Sequence, residues 1–197
     1  MDHALDQCLV RTILEHAADY PWRMQGIGLL ALRLDDRREH RLHVWDPDGC
    51  PGDPPIHDHP YDFSSTVVVG TLTDTRYVED PTGRLYRRER YVPGAEDDRR
   101  RDTVRLAGTS TVLGAGDRYH LLAHELHDSR QAPGTVTIIR CEWRDRPELT
   151  VCLRPGAPWV SGQSRAATAD EIKRITSAAL DLFGTAPELP SAPSGTT

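Results

Sequence analysis

Two histidines one residue apart, His57 and His59, form the segment of this chain best suited to chemistry. Side chains alternate between faces in an extended strand, so this pair points the same way. Neutral imidazole is the commonest protein metal ligand, and two on one face supply half of a coordination sphere. The pair follows the loop Cys50-Pro51-Gly52-Asp53-Pro54-Pro55 and precedes the β-branched run Thr66-Val67-Val68-Val69. A metal site facing the inside of a β-sheet is the expectation. With 9 histidines in 197 residues, some close pairs arise by chance, so further ligands must come from elsewhere.

The stretch from Gly114 to Arg130 carries His120, His124 and His127 and leads through Pro133-Gly134 into the apolar run Thr135–Arg140. A helix placing the three at i, i+4 and i+7 is one layout. The flanking Gly114, Gly116 and Pro133-Gly134 favour strand, turn and return strand. In that layout His120 ends the first strand, His124 sits in the turn, and His127 re-enters the sheet. One of the three is the expected further ligand, and the family resemblance given below favours His127 over His120 and His124.

The elements that must hold these residues are mostly short β-runs: 27–34, 41–45, 65–72, 84–92, 104–113, 117–122, 135–143 and 149–153. Turn signals separate them, among them Pro81-Thr82-Gly83 and Gly114-Ala115-Gly116, which argues for a sandwich or barrel. A helical stripe of Leu5, Leu9, Ile13 and Ala17 precedes Pro21. A capping box, Thr168 with Glu171, opens a helix through Ile172, Ile175, Ala179 and Leu182 that Gly184 stops. The organisation expected is a helix in 1–22, a β-barrel in 23–160, a helix in 161–184 and a disordered tail in 185–197.

A charged fraction of 27%, a hydrophobic fraction of 38% and a net charge of -6 fit one globular domain and argue against nucleic-acid binding. The runs Arg87-Arg88 and Arg99-Arg100-Arg101 are interleaved with acids and read as a solvated edge. No apolar run reaches membrane length, and the start is not that of a signal peptide, so a cytoplasmic protein without membrane contact is expected. Cys8, Cys50, Cys141 and Cys152 form no CxxC pair and are expected to be reduced thiols.

The glycine, His57-x-His59, strand and Gly70 sequence resembles the first motif of the cupin superfamily, and the segment around His127 resembles the second. Together they span roughly residues 41 to 143. The resemblance implies an all-β fold, a single cupin barrel of jelly-roll type flanked by N- and C-terminal helices. The usual cupin glutamate ligand would fall at Phe63 or Ser64, with Asp62 one position early. A set of His57, His59 and His127 without a carboxylate resembles the thiol dioxygenase group typified by cysteine dioxygenase. That group's cross-linked cysteine and tyrosine have no counterpart near Ser64 or on 135–143, so a relative with another substrate is implied. The resemblance implies an Fe(II)-dependent oxygenase using O₂ on a small polar metabolite, thiol or amino-acid-like, in a monomer or homodimer. Arg33, placed like that group's carboxylate-binding arginine, and Arg76 and Tyr77, after the strand that ends at Gly70, are the expected substrate-orienting residues. Non-oxidative metal chemistry, such as isomerase or lyase work, a binding role without catalysis, and a metal-free barrel are the alternatives.

Overall fold

A computed structural model describes residues 3–49, 54–158 and 164–185. Helix α1 spans His3–Glu15, and a single 3-10 turn, Ala17–Asp19, follows it. The strands are β1 (Arg23–Gln25), β2 (Leu29–Arg33), β3 (His40–Trp45), β4 (Ile56–His57), β5 (Tyr61–Val69), β6 (Thr71–Tyr91), β7 (Arg100–Gly114), β8 (Arg118–Leu121), β9 (Leu126–Gln131), β10 (Val136–Trp143), β11 (Leu149–Leu153) and β12 (Ser164–Ala166). Helix α2 spans Ala169–Thr185.

Two antiparallel sheets contain these strands, in the orders β12-β1-β2-β3-β10-β5-β8 and β11-β4-β9-β6-β7. Counted from β3, eight consecutive strands divide between the sheets as first-eighth-third-sixth and second-seventh-fourth-fifth. That order is a jelly roll, so the all-β fold with flanking helices expected from sequence is the one observed. Gly70 makes the passage from β5 to β6 at φ 87°, and a Cβ there would lie 2.5 Å from Thr135 Oγ1. Only glycine fits both conditions.

The largest apolar cluster lies outside the barrel. Val10, Ile13, Leu14 and Ala17 from the N-terminal segment, with Ile175 and Ala179 of α2, pack on Leu30, Leu42, Val44, Val68 and Ile138. Burying each Val, Leu or Ile side chain among them contributes about 1.5–3 kcal/mol. Leu9, placed on the buried stripe from its spacing, is 50% exposed, and Val10 and Leu14 take that face instead. The capping box forms as expected: Glu171 N donates to Thr168 Oγ1 at 3.3 Å, and Thr168 N donates to Glu171 Oε2 at 2.9 Å. Because the helices cover one face of this sheet, the opposite face is left to line the interior with Arg41, His43 and Trp45.

Two further expectations on the elements are corrected. Pro81-Thr82-Gly83 is no hairpin turn but an outward bulge within β6, where Glu79 and Arg84 both face Leu106. Asp80 Oδ1 holds that bulge by accepting from Thr82 N at 2.7 Å. Strands β4 and β9, too short or too polar to read from pattern, complete the second sheet. The arginine runs fall on β6 and on or just before β7, the edge strand of this sheet, where Arg100 and Arg101 are exposed as expected; Arg88 pairs with Asp102 and Arg87 with the buried Glu89. Of the expected disordered tail, Thr185 ends α2 and residues 186–197 lie outside the described residues, as does Cys50; Cys8, Cys141 and Cys152 are free thiols. Among the described residues, no helix is long and apolar enough to cross a membrane.

Candidate metal centre

His57 lies on β4 directly opposite His127 of β9 in the ladder that joins the two strands. His59 follows in the short turn to β5. One ring nitrogen from each histidine falls within a group whose members all lie within 4.8 Å of one another. The alternation that put His57 and His59 on one face sends Asp58 the other way. Its Oδ1 accepts from Thr150 N at 2.8 Å and its Oδ2 from Arg146 at 2.7 Å, which ties the turn to β11.

The proton positions follow from the partners. His127 Nδ1 lies 2.8 Å from Asp74 Oδ1, and His57 Nδ1 lies 2.9 Å from Pro55 O. An ionised carboxylate and a carbonyl only accept, so both rings carry the proton on Nδ1 and leave the Nε2 lone pair free. His59 Nε2 and His127 Nε2 stand 3.0 Å apart. Two nitrogens bound at right angles to one cation, each about 2.1 Å from it, would be separated by about 3 Å. The three rings thus fit a divalent ion. Burial and the neighbouring His127 hold His57 at a pKa of about 4, and burial holds His59 well below its ordinary value. Both rings therefore stay neutral, the form that ligates.

Phe63 occupies the place where a carboxylate ligand was sought. Its ring packs 5.1 Å from that of His59 and 5.8 Å from that of His127, while Ser64 is exposed. Asp62 is committed elsewhere: Ala123 N donates to it at 2.8 Å and Arg144 Nε at 2.9 Å, and Arg144 lowers its pKa. His120 and His124 are exposed and stand outside the cluster.

The cluster opens onto a cavity of about 400 Å³ between the two sheets. Arg33 ends β2, exposed and away from the cavity wall. Arg76 starts directly opposite His127, yet its guanidinium turns to Asp74 Oδ2 at 3.3 Å, Glu125 at 3.6 Å and the carbonyl of His120. Tyr77 faces the other side of the sheet and donates to Asp128 Oδ2 at 2.8 Å. Burial and that carboxylate push its phenol pKa upward. None of the three lines the cavity that holds the histidines, so the placement expected from sequence is corrected. Alternation explains Tyr77: its neighbour Arg76 takes the inward face of β6.

Beside the three histidines, the cavity is lined by Arg41 and His43, which were missed, and by Trp45. Arg41, His43 and Trp45 occupy alternate positions of β3. Arg41 donates to Tyr61 Oη at 3.1 Å and lies over the Tyr61 ring, which stacks on His59 at 5.1 Å. The alternation Arg41-Leu42-His43-Val44-Trp45 was the available signal, with Leu42 and Val44 fully buried on the helix side.

Neither a protein-family model nor a curated protein matches this chain. Among solved structures, the oxalate decarboxylase of Lactobacillus farciminis in its formate complex aligns at 16% identity with a TM-score of 0.36, over 72% of this chain and 32% of its own. The chain thus spans about a third of that enzyme. A Klebsiella pneumoniae protein of double-stranded β-helix type aligns at 13% identity over 72% of this chain and 85% of its own, with a TM-score of 0.29. A cupin-like protein of Thermotoga maritima aligns at 12% identity over 78% and 87%, with a TM-score of 0.27. Likenesses this loose carry no argument about family or chemistry.

Proposed function

We propose that this chain is a cupin-type metalloprotein that holds one Fe(II) through His57, His59 and His127 and oxidises a small polar metabolite with O₂. The observation that supports it most is that His59 Nε2 and His127 Nε2 stand 3.0 Å apart, beside His57, with the rings of His127 and His57 oriented so that their Nε2 lone pairs are free. Imidazole suits iron, and three nitrogens leave positions open for substrate. When bound, the ion would supply activation of O₂.

The chain's own residues carry the remaining work. Asp74 holds the His127 ring and its tautomer, and Arg76 braces Asp74. Phe63 and Tyr61 pack on the imidazoles and keep water from their flanks. Arg41 replaces the outlying Arg33 as the cation facing the substrate cavity, with its guanidinium placed by Tyr61 and Trp143. Arg76 becomes a positioning residue, and Tyr77 belongs to the outer face.

One feature favours a second reading. Three neutral ligands leave the full charge of a divalent ion uncompensated, which suits Lewis-acid chemistry without O₂, as in an isomerase or lyase. The test is O₂ uptake by Fe(II)-reconstituted protein over a panel of small thiols and acids. Uptake that requires substrate and disappears in His59→Ala supports the oxygenase. Substrate turnover without O₂ consumption, in protein loaded with iron or another divalent ion, sinks it in favour of the second reading.

A further inference from the structure

Four side-chain nitrogens in the wall of this cavity are buried without a hydrogen-bond partner among the described residues: Arg41 Nε, His43 Nε2, Trp45 Nε1 and Gln131 Nε2. Three belong to alternate residues of β3. The fourth is on β9, four residues beyond His127 and on the same face. Native interiors pair nearly all such groups, so a cluster of four in one cavity calls for a ligand. His43 is only 7% exposed, which makes a chance orphan at this position costly.

The chemistry of the four is one-sided. Arg, Trp and the Gln amide nitrogen only donate, and a neutral histidine donates from Nε2 in one tautomer. Among the described residues the cavity wall contains two carboxylates, and both are already used. Asp46 accepts from Arg174 at 2.5 and 2.8 Å and from Asp48 N at 2.9 Å. Asp58 is held by Arg146 and Thr150. The wall offers spare donors and no spare carboxylate. Its apolar remainder includes Ile27, Phe63, Ile139, Leu149 and Val151.

We infer that the cavity selects an acid: a small molecule whose carboxylate, or an oxyanion of like shape, is seated on Arg41, His43, Trp45 and Gln131, with an apolar body and no ammonium group. This rests on the proposed function for its role as substrate, and it narrows that reading. An α-amino acid would bring an ammonium group to a wall without a free carboxylate to receive it.

Calorimetric titration with three ligands of one shape tests this: 3-phenylpropanoate, 3-phenylpropanamide and 3-phenylpropan-1-amine. Wild-type protein should bind the carboxylate at least tenfold tighter than the amide and should not bind the amine. Trp45→Phe keeps the ring and removes one donor, so carboxylate affinity should fall about tenfold. Gln131→Glu should weaken the acid further and admit the amine. Equal affinity for all three, preference for the amine, or no binding of this acid, acetate, benzoate or glutarate overturns the inference. Iron content measured on the same samples separates the two readings. Acid selection without iron leaves this inference standing and removes the metal, whereas iron without acid selection does the reverse.

Discussion

Asp74 Oδ1 lies 2.8 Å from His127 Nδ1, and both residues are almost wholly buried. A carboxylate in this position fixes the ring's tautomer and raises the basicity of the nitrogen on its far side. Replacing Asp74 with Asn should therefore weaken metal affinity about 10- to 100-fold without removing a ligand. Competition against a chromogenic chelator measures this. An unchanged affinity would mean that His127 needs no orienting partner.

His124 and His120 separate the metal account from mere histidine content. His57→Ala, His59→Ala and His127→Ala should each abolish metal retention, whereas His124→Ala and His120→Ala should keep it, since both side chains are exposed outside the cluster. Metal analysis of the five variants after gel filtration checks this. Retention by His127→Ala together with loss from His120→Ala would reassign the third ligand.

Asp58 links the site to the fold. It is buried between His57 and His59 and joins Arg146 at 2.7 Å and Thr150 N at 2.8 Å. Asp58→Ala leaves the Arg146 guanidinium and a buried amide without their partner, and about 2–4 kcal/mol of stability should be lost. Urea unfolding of the metal-free protein measures it. A loss below about 0.5 kcal/mol, the range of an ordinary surface change, would mean that the turn does not depend on this contact.

Acid sensitivity follows from the buried rings. Burial, reinforced by Arg41, holds His43 at a pKa of about 3, and burial with His127 holds His57 at about 4. In the unfolded chain both titrate near about 6.5. Between those values the unfolded state binds protons that the folded state refuses, so stability falls as pH drops below about 6.5 and levels off near the folded values. Each ring contributes a slope of up to about 1.4 kcal/mol per pH unit. Urea midpoints of metal-free protein between pH 7.5 and 4.5 should show this fall, and His43→Gln should reduce it. A flat profile would contradict neutral burial of these rings.

The fold was legible where side-chain periods were clean. The β-runs at 41–45, 135–143 and 149–153 and the Thr168–Glu171 cap match elements of the structure. The three histidines were also legible, because one-residue spacing and strand re-entry are local geometry. What pattern could not reveal is which face of a strand looks inward. In β3 the apolar face packs on helices, so Arg41 and His43, polar residues in an ordinary-looking strand, form the cavity wall. Strand β9 lacks an apolar period because His127, Ser129 and Gln131 face the cavity while Asp128 turns outward. Arg33, Arg76 and Tyr77 were chosen by chain position, and position alone does not fix where a long side chain ends. Asp74 carries no signature in sequence, since its partner lies 53 residues away.

The central claim is a metal ion held by three imidazoles. Its most direct measurement is elemental analysis of protein purified without oxygen, beside the His57→Ala/His59→Ala double variant. The account predicts close to one iron per chain in the wild type and none in the variant. Wild-type protein that remains metal-free after anaerobic exposure to Fe(II), or a variant that retains as much iron as the wild type, would contradict it.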